Sequence, residues 1–329
     1  MTQKGILILI SGLLLTGCLT GCNTGSANAA EQVSQQADTS SLSAAAAPEE
    51  ASLGSENSGA ETSVPVFDFE KKTVFLNSGY EMPVAGLGTY ALSDEECYNS
   101  VTALLENGGR LIDTASYYGN EESIGRAIRD SDVPREEIFV TTKIYPTEFD
   151  NPEEAIEGCL ERLDIGYIDL MLLHHPGSND TAAYKAIEKA IQEGKVHTAG
   201  ISCYYIRETD SFLPKVSMKP ELIQNEIHPF YQDSKVVEHI QKKEITVQSW
   251  YPLGGRGHTG AMFRSPVLQK IAAAQVILRW NLQRGVCVIP GSSNAEYIWE
   301  NISIFDFALT NAEMEAIAGL DRNEKHDWY

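Results

Sequence analysis

The chain has 329 residues, 43% of them hydrophobic and 22% charged, with 26 Gly and 13 Pro. That composition excludes collagen-like, wholly disordered and polytopic membrane chains. A formal charge of −21 repels phosphate backbones and argues against nucleic-acid partners.

The chain opens on a predicted export signal, residues 1–22. Lys4 is the lone positive charge of its n-region, and the apolar run from Gly5 to Leu15 is too short to span a bilayer. The run ends in Leu15-Thr16-Gly17-Cys18, and the pattern repeats as Leu19-Thr20-Gly21-Cys22. Both resemble the bacterial lipobox, in which small residues precede a Cys that receives lipid. Cys18 is the expected lipidated residue, ahead of Cys22. Stable anchoring takes more than one acyl chain. An exported protein anchored to the cell membrane by lipid is therefore expected. An ordinary secretory peptide, an uncleaved anchor and a cytoplasmic location are the alternatives. Residues 23–66 carry acids (Glu31, Asp38, Glu49, Glu50, Glu56, Glu61), no Lys or Arg, and few large apolar side chains. Such a stretch cannot offset its ordering entropy and reads as a disordered tether. The folded domain is expected over 67–329.

The Cys residues fall at 18, 22, 97, 159, 203 and 287. They form no CxxC pair and no Cys/His cluster of zinc spacing. Neither a disulfide scaffold nor a metal is expected.

From residue 67 short apolar runs alternate with amphipathic stretches. A hairpin opens the body, with strands over 73–77 and 82–84 around a turn at Ser78-Gly79. Eight further strands are predicted over 85–88, 110–113, 138–143, 168–174, 198–202, 222–226, 246–250 and 286–290. Helices are clearest over 95–106, 121–130, 152–163, 181–193 and 234–243. Pro152 suits a first turn. A tail helix covers 311–320. Strict alternation implies a parallel sheet with crossover helices. Eight such units imply an α/β fold: a single (β/α)8 TIM barrel with an N-terminal hairpin and a C-terminal extra helix. The rival is a Rossmann domain. Gly86-Leu87-Gly88-Thr89-Tyr90-Ala91 fits G-x-G-x-x-A, and Asp113 ends the next strand. Eight units in one run suit the barrel better than two halves.

Polar residues stand where strands end. Asp113 follows Arg110-Leu111-Ile112, Lys143 follows Val140-Thr141-Thr142, and His174 follows Met171-Leu172-Leu173. Each is one βα unit from the next, so a barrel brings them to its C-terminal face, where barrel active sites lie. Tyr118 sits on the loop above that face. Taken singly, Asp113 and Lys143 read as a salt bridge, Tyr118 as surface packing and His174 as a core imidazole. Together they suit carbonyl reduction. A Tyr hydroxyl can donate a proton to a carbonyl oxygen. A nearby ammonium lowers the Tyr pKa, a carboxylate holds that ammonium, and an imidazole orients the oxygen. Protein has no hydride donor, so a nicotinamide is implied.

These residues lie in motifs that resemble the aldo-keto reductase superfamily over about residues 70–329. The matches are Gly86-Leu87-Gly88-Thr89-Tyr90, then Ile112-Asp113-Thr114-Ala115-Ser116-Tyr117-Tyr118-Gly119-Asn120-Glu121, then Thr142-Lys143, then Asp169-Leu170-Met171-Leu172-Leu173-His174. The resemblance implies NAD(P)H-dependent reduction of aldehydes or ketones. Tyr118 would be the acid, tuned by Lys143 and Asp113, with His174 orienting substrate. It also implies cofactor contacts. Gly88, Thr89, Tyr90 and Asp113 would lie by the nicotinamide ribose. Ser202 and Gln224 would meet the carboxamide, and Trp250 would stack on the ring. Leu253, Ser292 and Asn301 complete the set. A small-molecule carbonyl partner and a monomer are expected.

Four positions depart from the family pattern. Cys203 stands where Asn is usual after Ser202. Gly291 and Tyr297 replace the cations that hold the 2′-phosphate of NADP. NADP is the cofactor the resemblance implies, and NAD becomes plausible. His175 replaces a common aromatic beside His174. The segment from Lys270 to Val276 is short, so two helices must fuse or repack there. The short tail after the last helix argues against steroid-like specificity. Export conflicts with a cytoplasmic cofactor, and no twin-Arg motif is present. A catalytically weak, membrane-anchored accessory barrel is therefore the alternative to the enzyme.

Overall fold

The computed structural model describes residues 65–268 and 273–327. The expected signal, with Cys18 and Cys22, and all but the end of the expected tether lie outside these residues. Among the described residues no helix is long and apolar enough to cross a membrane.

The described chain opens with three antiparallel strands, β1 (Phe67–Asp68), β2 (Thr73–Phe75) and β3 (Glu81–Pro83). The expected hairpin is β2–β3, with Val74 opposite Met82. Its first strand stops at Phe75 because Leu76 starts the turn, donating its N–H to the Tyr80 carbonyl.

Eight parallel strands follow, paired in chain order: β4 (Leu87–Gly88), β5 (Leu111–Asp113), β6 (Phe139–Ile144), β7 (Ile168–Leu173), β8 (Val196–Ser202), β9 (Leu222–Glu226), β10 (Thr246–Trp250) and β11 (Val286–Val288). A parallel bridge between Ala85 and Val288, and the Gly86 N–H donating to the Val288 carbonyl at 3.0 Å, join the last strand to the first. The barrel is closed, and the Rossmann reading falls away.

The outer helices are α1 (Asp94–Glu106), α2 (Glu121–Asp130), α3 (Pro152–Leu163), α4 (Asp180–Gln192), α5 (Ile206–Phe212), α6 (Ser234–Gln241), α7 (Thr259–Phe263), α8 (Ala273–Gln283), α9 (Ala295–Ile302) and α10 (Asn311–Ala318). Their starts are written locally. Ser93 and Glu96 form a capping box on α1, and Thr310 and Glu313 form one on α10. Helices α5 and α9 are weak in the pattern because few of their residues are buried (Thr209 and Phe212, then Ile298 and Asn301). Lys270 to Ala272 of the shortened segment lie outside the described residues. From α8 onward Val276, Ile277 and Trp280 are buried with Phe230, Met262, Leu268 and Leu309.

Strand side chains alternate between two cores. Leu111, Leu170, Leu172 and Val288 point inward and share one cluster with Val74 and Met82 of the hairpin. Ile112, Val140, Met171 and Val247 point outward and meet Leu104, Ile124, Ile156 and Val237 of the helices. Strands β6 and β7 are buried along their whole length, which is why they read as continuous apolar runs. The hairpin fills the N-terminal mouth of the barrel. The C-terminal mouth is left for the site.

Candidate active site

Asp113 closes β5, Lys143 lies near the end of β6, and His174 directly follows β7. Tyr118 ends a short 3₁₀ turn over 116–118, which Gly119 terminates in the left-handed region at φ 70°. The topology thus brings the four side chains to one end. Lys143 Nζ donates to Asp113 Oδ1 at 2.5 Å and to the Thr114 carbonyl at 2.7 Å. Gln224 Nε2 donates to the other carboxylate oxygen, Asp113 Oδ2, at 2.7 Å. The Lys143 Nζ lies 5.1 Å from the centroid of the Tyr118 ring. The Tyr118 hydroxyl and His174 Nε2 are 3.5 Å apart.

Burial governs the electrostatics. It pushes the Asp113 carboxyl up and the Lys143 ammonium down, and each partner's charge pulls the other back. Burial and the Lys143 charge hold His174 well below the usual imidazole range, so the ring is neutral. Tyr118 corrects the sequence expectation. Burial pushes its hydroxyl well above the ordinary range, and the Asp113 carboxylate adds to the rise. Loss of water around the hydroxyl outweighs the expected lowering by Lys143. Tyr118 is held as a proton carrier rather than as a partial tyrosinate.

These groups floor a cavity of about 620 Å³, within the usual range for small-molecule sites. Asp113, Tyr118 and His174 line one end, and Gly291, Ser292, Tyr297, Glu300 and Asn301 line it farther along the chain. Gly88, Tyr90, Ser202, Gln224, Trp250 and Leu253 also line it. Two expected residues do not reach the wall. Lys143 is sealed beneath it, and Thr89 is buried, its hydroxyl donating to the Asp113 carbonyl at 3.0 Å. Gly88 leaves no room for a side chain, since a Cβ there would meet the Ile289 carbonyl oxygen at 2.7 Å. The amide nitrogen of Gln224 is committed to Asp113 and, at 2.6 Å, to Gln248 Oε1. Trp250 Nε1 is buried without a hydrogen-bond partner.

The residues that support Tyr118 had no role in the sequence reading. Asn120 accepts from the Thr114 hydroxyl at 2.8 Å and donates to the Thr89 carbonyl at 2.9 Å. Buried Glu121 accepts from Thr142 at 2.6 Å and from Arg162 at 2.7 Å. Both stand in the quoted motif, so a polar pair bracketing a buried helix start was the available signal. Of the aromatic wall, the sequence reading singled out His175 but not Tyr145. Tyr117 stacks on Tyr145 at 4.4 Å, Tyr145 meets His174 edge-on at 5.4 Å, and His174 stacks on His175 at 4.6 Å. Arg256 is the only Lys or Arg on the wall among the described residues.

A family model described as the aldo/keto reductase family matches residues 84–266 and 267–322. The chain is 38% identical over 267 residues to the glyoxal reductase of Bacillus subtilis, covering 78% of this chain and 95% of that protein. It is 36% identical to the morphine 6-dehydrogenase of Pseudomonas putida, covering 75% of this chain and 90% of that one. Among solved structures, an aldo-keto reductase enzyme from a Medee basin deep-sea metagenome library matches with a TM-score of 0.74 at 36% identity, covering 77% of this chain and 96% of that one. The site geometry and these likenesses agree, and the chain belongs to the aldo/keto reductase family, as an oxidoreductase enzyme of it.

Proposed function

We propose that the chain reduces small aldehydes or ketones to alcohols with NAD(P)H, and that Tyr118 is the general acid. The observation that carries this reading is the placement of the Tyr118 hydroxyl, 3.5 Å from a neutral His174 and beside a fully buried Lys143–Asp113 pair, in one cavity. Tyr118 gives its proton to the carbonyl oxygen as negative charge develops there. His174 donates a hydrogen bond to the same oxygen and orients it. Lys143 stays charged beneath the tyrosinate that remains, and Asp113 keeps it in place. Gln224 in turn fixes Asp113.

The cavity fits a nicotinamide dinucleotide. Trp250 offers an aromatic face with an unpartnered Nε1, and Gly88 and Ser202 line the same wall. When bound, that cofactor supplies the hydride. Gly88, Tyr90, Ser202, Gln224, Trp250, Leu253, Ser292 and Asn301 would hold it. With Gly291 and Tyr297 in place of the usual cations, and the Glu300 residue on the same wall, NADH is accepted beside NADPH. The relative named a glyoxal reductase makes a small dicarbonyl the first substrate to try. Export by 1–22 and lipid on Cys18 belong to the same proposal. Mass spectrometry of the mature N-terminus tests both.

The deciding experiment is oxidation of NADPH and NADH by the purified chain against an aldehyde panel including glyoxal, beside Tyr118→Phe. Turnover that disappears in the variant supports the reading. Full activity in Tyr118→Phe overturns the assignment of the acid.

A further inference from the structure

Away from the tetrad, the structure gathers a cluster of histidines and carboxylates from parts of the chain about a hundred residues apart. Glu226 ends β9, His228 follows it, His258 lies in the loop after β10, and Glu324 and His326 belong to the C-terminal tail. One ligand atom each from Glu226, His228 and His326 lie within 4.8 Å of one another, and so do those of His258, Glu324 and His326. The three imidazoles stack, His228 on His326 at 4.3 Å and His258 on His326 at 3.9 Å.

The inner set is built like a ligand shell. Glu226 and His228 are fully buried, with Glu226 Oε1 3.0 Å from His228 Nε2. No Lys or Arg nitrogen lies within 4.0 Å of the Glu226 carboxylate among the described residues. Its two oxygens accept the backbone N–H groups of His326 at 2.6 Å and Asp327 at 3.2 Å, which bring the tail against it. His228 Nδ1 is buried with no hydrogen-bond partner. His326 Nδ1 is 2.7 Å from the Gly254 carbonyl. That contact fixes one ring nitrogen as a donor, the usual outer support of a ligating His, and leaves Nε2 facing the Glu324 carboxylate at 3.3 Å. A tetrahedral zinc holds N and O ligands at about 2.0–2.2 Å, so its ligand atoms stand roughly 3.3 Å apart. A shift on the order of an ångström closes the set.

We propose that Glu226, His228 and His326 bind a divalent cation of the zinc class, with His258 and Glu324 on its solvent side. The sequence hid this site because its ligands have no local spacing. The cation would fasten the tail to the loop after β10. Both segments border the catalytic cavity, the loop through Leu253 and Arg256 and the tail through Asp327. The proposal does not depend on the reductase reading, because it is tested by binding.

The test is calorimetric titration of the untagged full chain with Zn2+ alone, with Co2+ absorption as a second probe of coordination. We expect one ion per chain at micromolar affinity, and a thermal midpoint raised by about 5 °C at saturating zinc. His326→Ala should weaken binding at least tenfold, and His258→Ala less than threefold. His258 is exposed and the His326 side chain is buried, so the circular dichroism of each variant is compared with the parent's first, and His326→Gln, which keeps much of the volume, should show the same tenfold loss. Absence of binding at 100 μM Zn2+ (roughly a hundred times the expected Kd) overturns the proposal. So does unchanged affinity in His326→Ala. Equal loss in His258→Ala overturns the ligand set.

Discussion

Two ion pairs sit at opposite ends of the barrel strands. At the N-terminal end Arg135 meets Asp169 at 2.7 Å, and at the C-terminal end Lys143 meets Asp113 at 2.5 Å. Both acids are buried, and burial raises both carboxyls. Their surroundings differ. Arg135 is saturated: it also donates to the Ile138, Ile165 and Tyr167 carbonyls and lies over the Tyr167 ring at 4.0 Å. The Asp169 carboxylate also takes the Val140 N–H at 2.9 Å. Neither Arg135 nor Asp169 lines the catalytic cavity. Lys143 makes only two hydrogen bonds, and its neighbour Tyr118 faces the cavity. The same chemistry thus braces one end of the barrel and equips the other. What separates them is access to a reacting group.

The comparison can be broken by substitution. The largest effect is expected for Tyr118→Phe, which should lower kcat by roughly 10²–10⁴ through loss of the acid. Its thermal midpoint should stay near that of the parent. Next comes the pair itself. Asp113→Asn should cost about 3 kcal/mol in denaturant unfolding, because it leaves the buried Lys143 unpaired, and Asp169→Asn less, because Arg135 is partly exposed and keeps its three carbonyl acceptors. Only Asp113→Asn should also lower kcat, by about a hundredfold. A comparable loss of kcat in Asp169→Asn would erase the distinction between the two ends.

The third prediction uses pH. Burial, then Lys143 and Lys325, hold His175 down to about 4. The unfolded imidazole titrates near ~6.5, so between these values the unfolded chain binds the extra proton. Stability from a neutral His175 is therefore whole above about pH 6.5 and falls as pH drops toward 4. Against His175→Phe, the parent should lose up to about 3 kcal/mol over that window. A constant difference across pH would show that the ring titrates normally. The smallest effect concerns the far end of the cavity. Tyr297→Arg restores a cation where Tyr297 is exposed on the wall. It should lower KM for NADPH about threefold to tenfold, with little change for NADH. An equal change for both cofactors would remove the phosphate from the explanation.

Much of the fold could be read before any coordinates. Strands β5 to β11 lie where apolar runs were found, and the tetrad positions follow from polar residues ending those runs. The misses have physical causes. Helix α5 buries too little to leave a period. The support of Asn120 and Glu121 depends on Thr89, Thr142 and Arg162, which come from other elements. The Tyr118 pKa went the other way because local spacing shows charges but not how dry they are.

By itself the sequence determined the barrel, its opening hairpin and the convergence of Asp113, Tyr118, Lys143 and His174. Periodicity and strand spacing are local properties, and one βα unit per strand end fixes the face on which a side chain emerges. Only the tertiary structure decided that Lys143 lies sealed under the wall, that Gln224 is spent on Asp113, and that Glu226, His228 and His326 meet. Those facts depend on desolvation and on contacts between distant segments, which chain order does not encode one residue at a time.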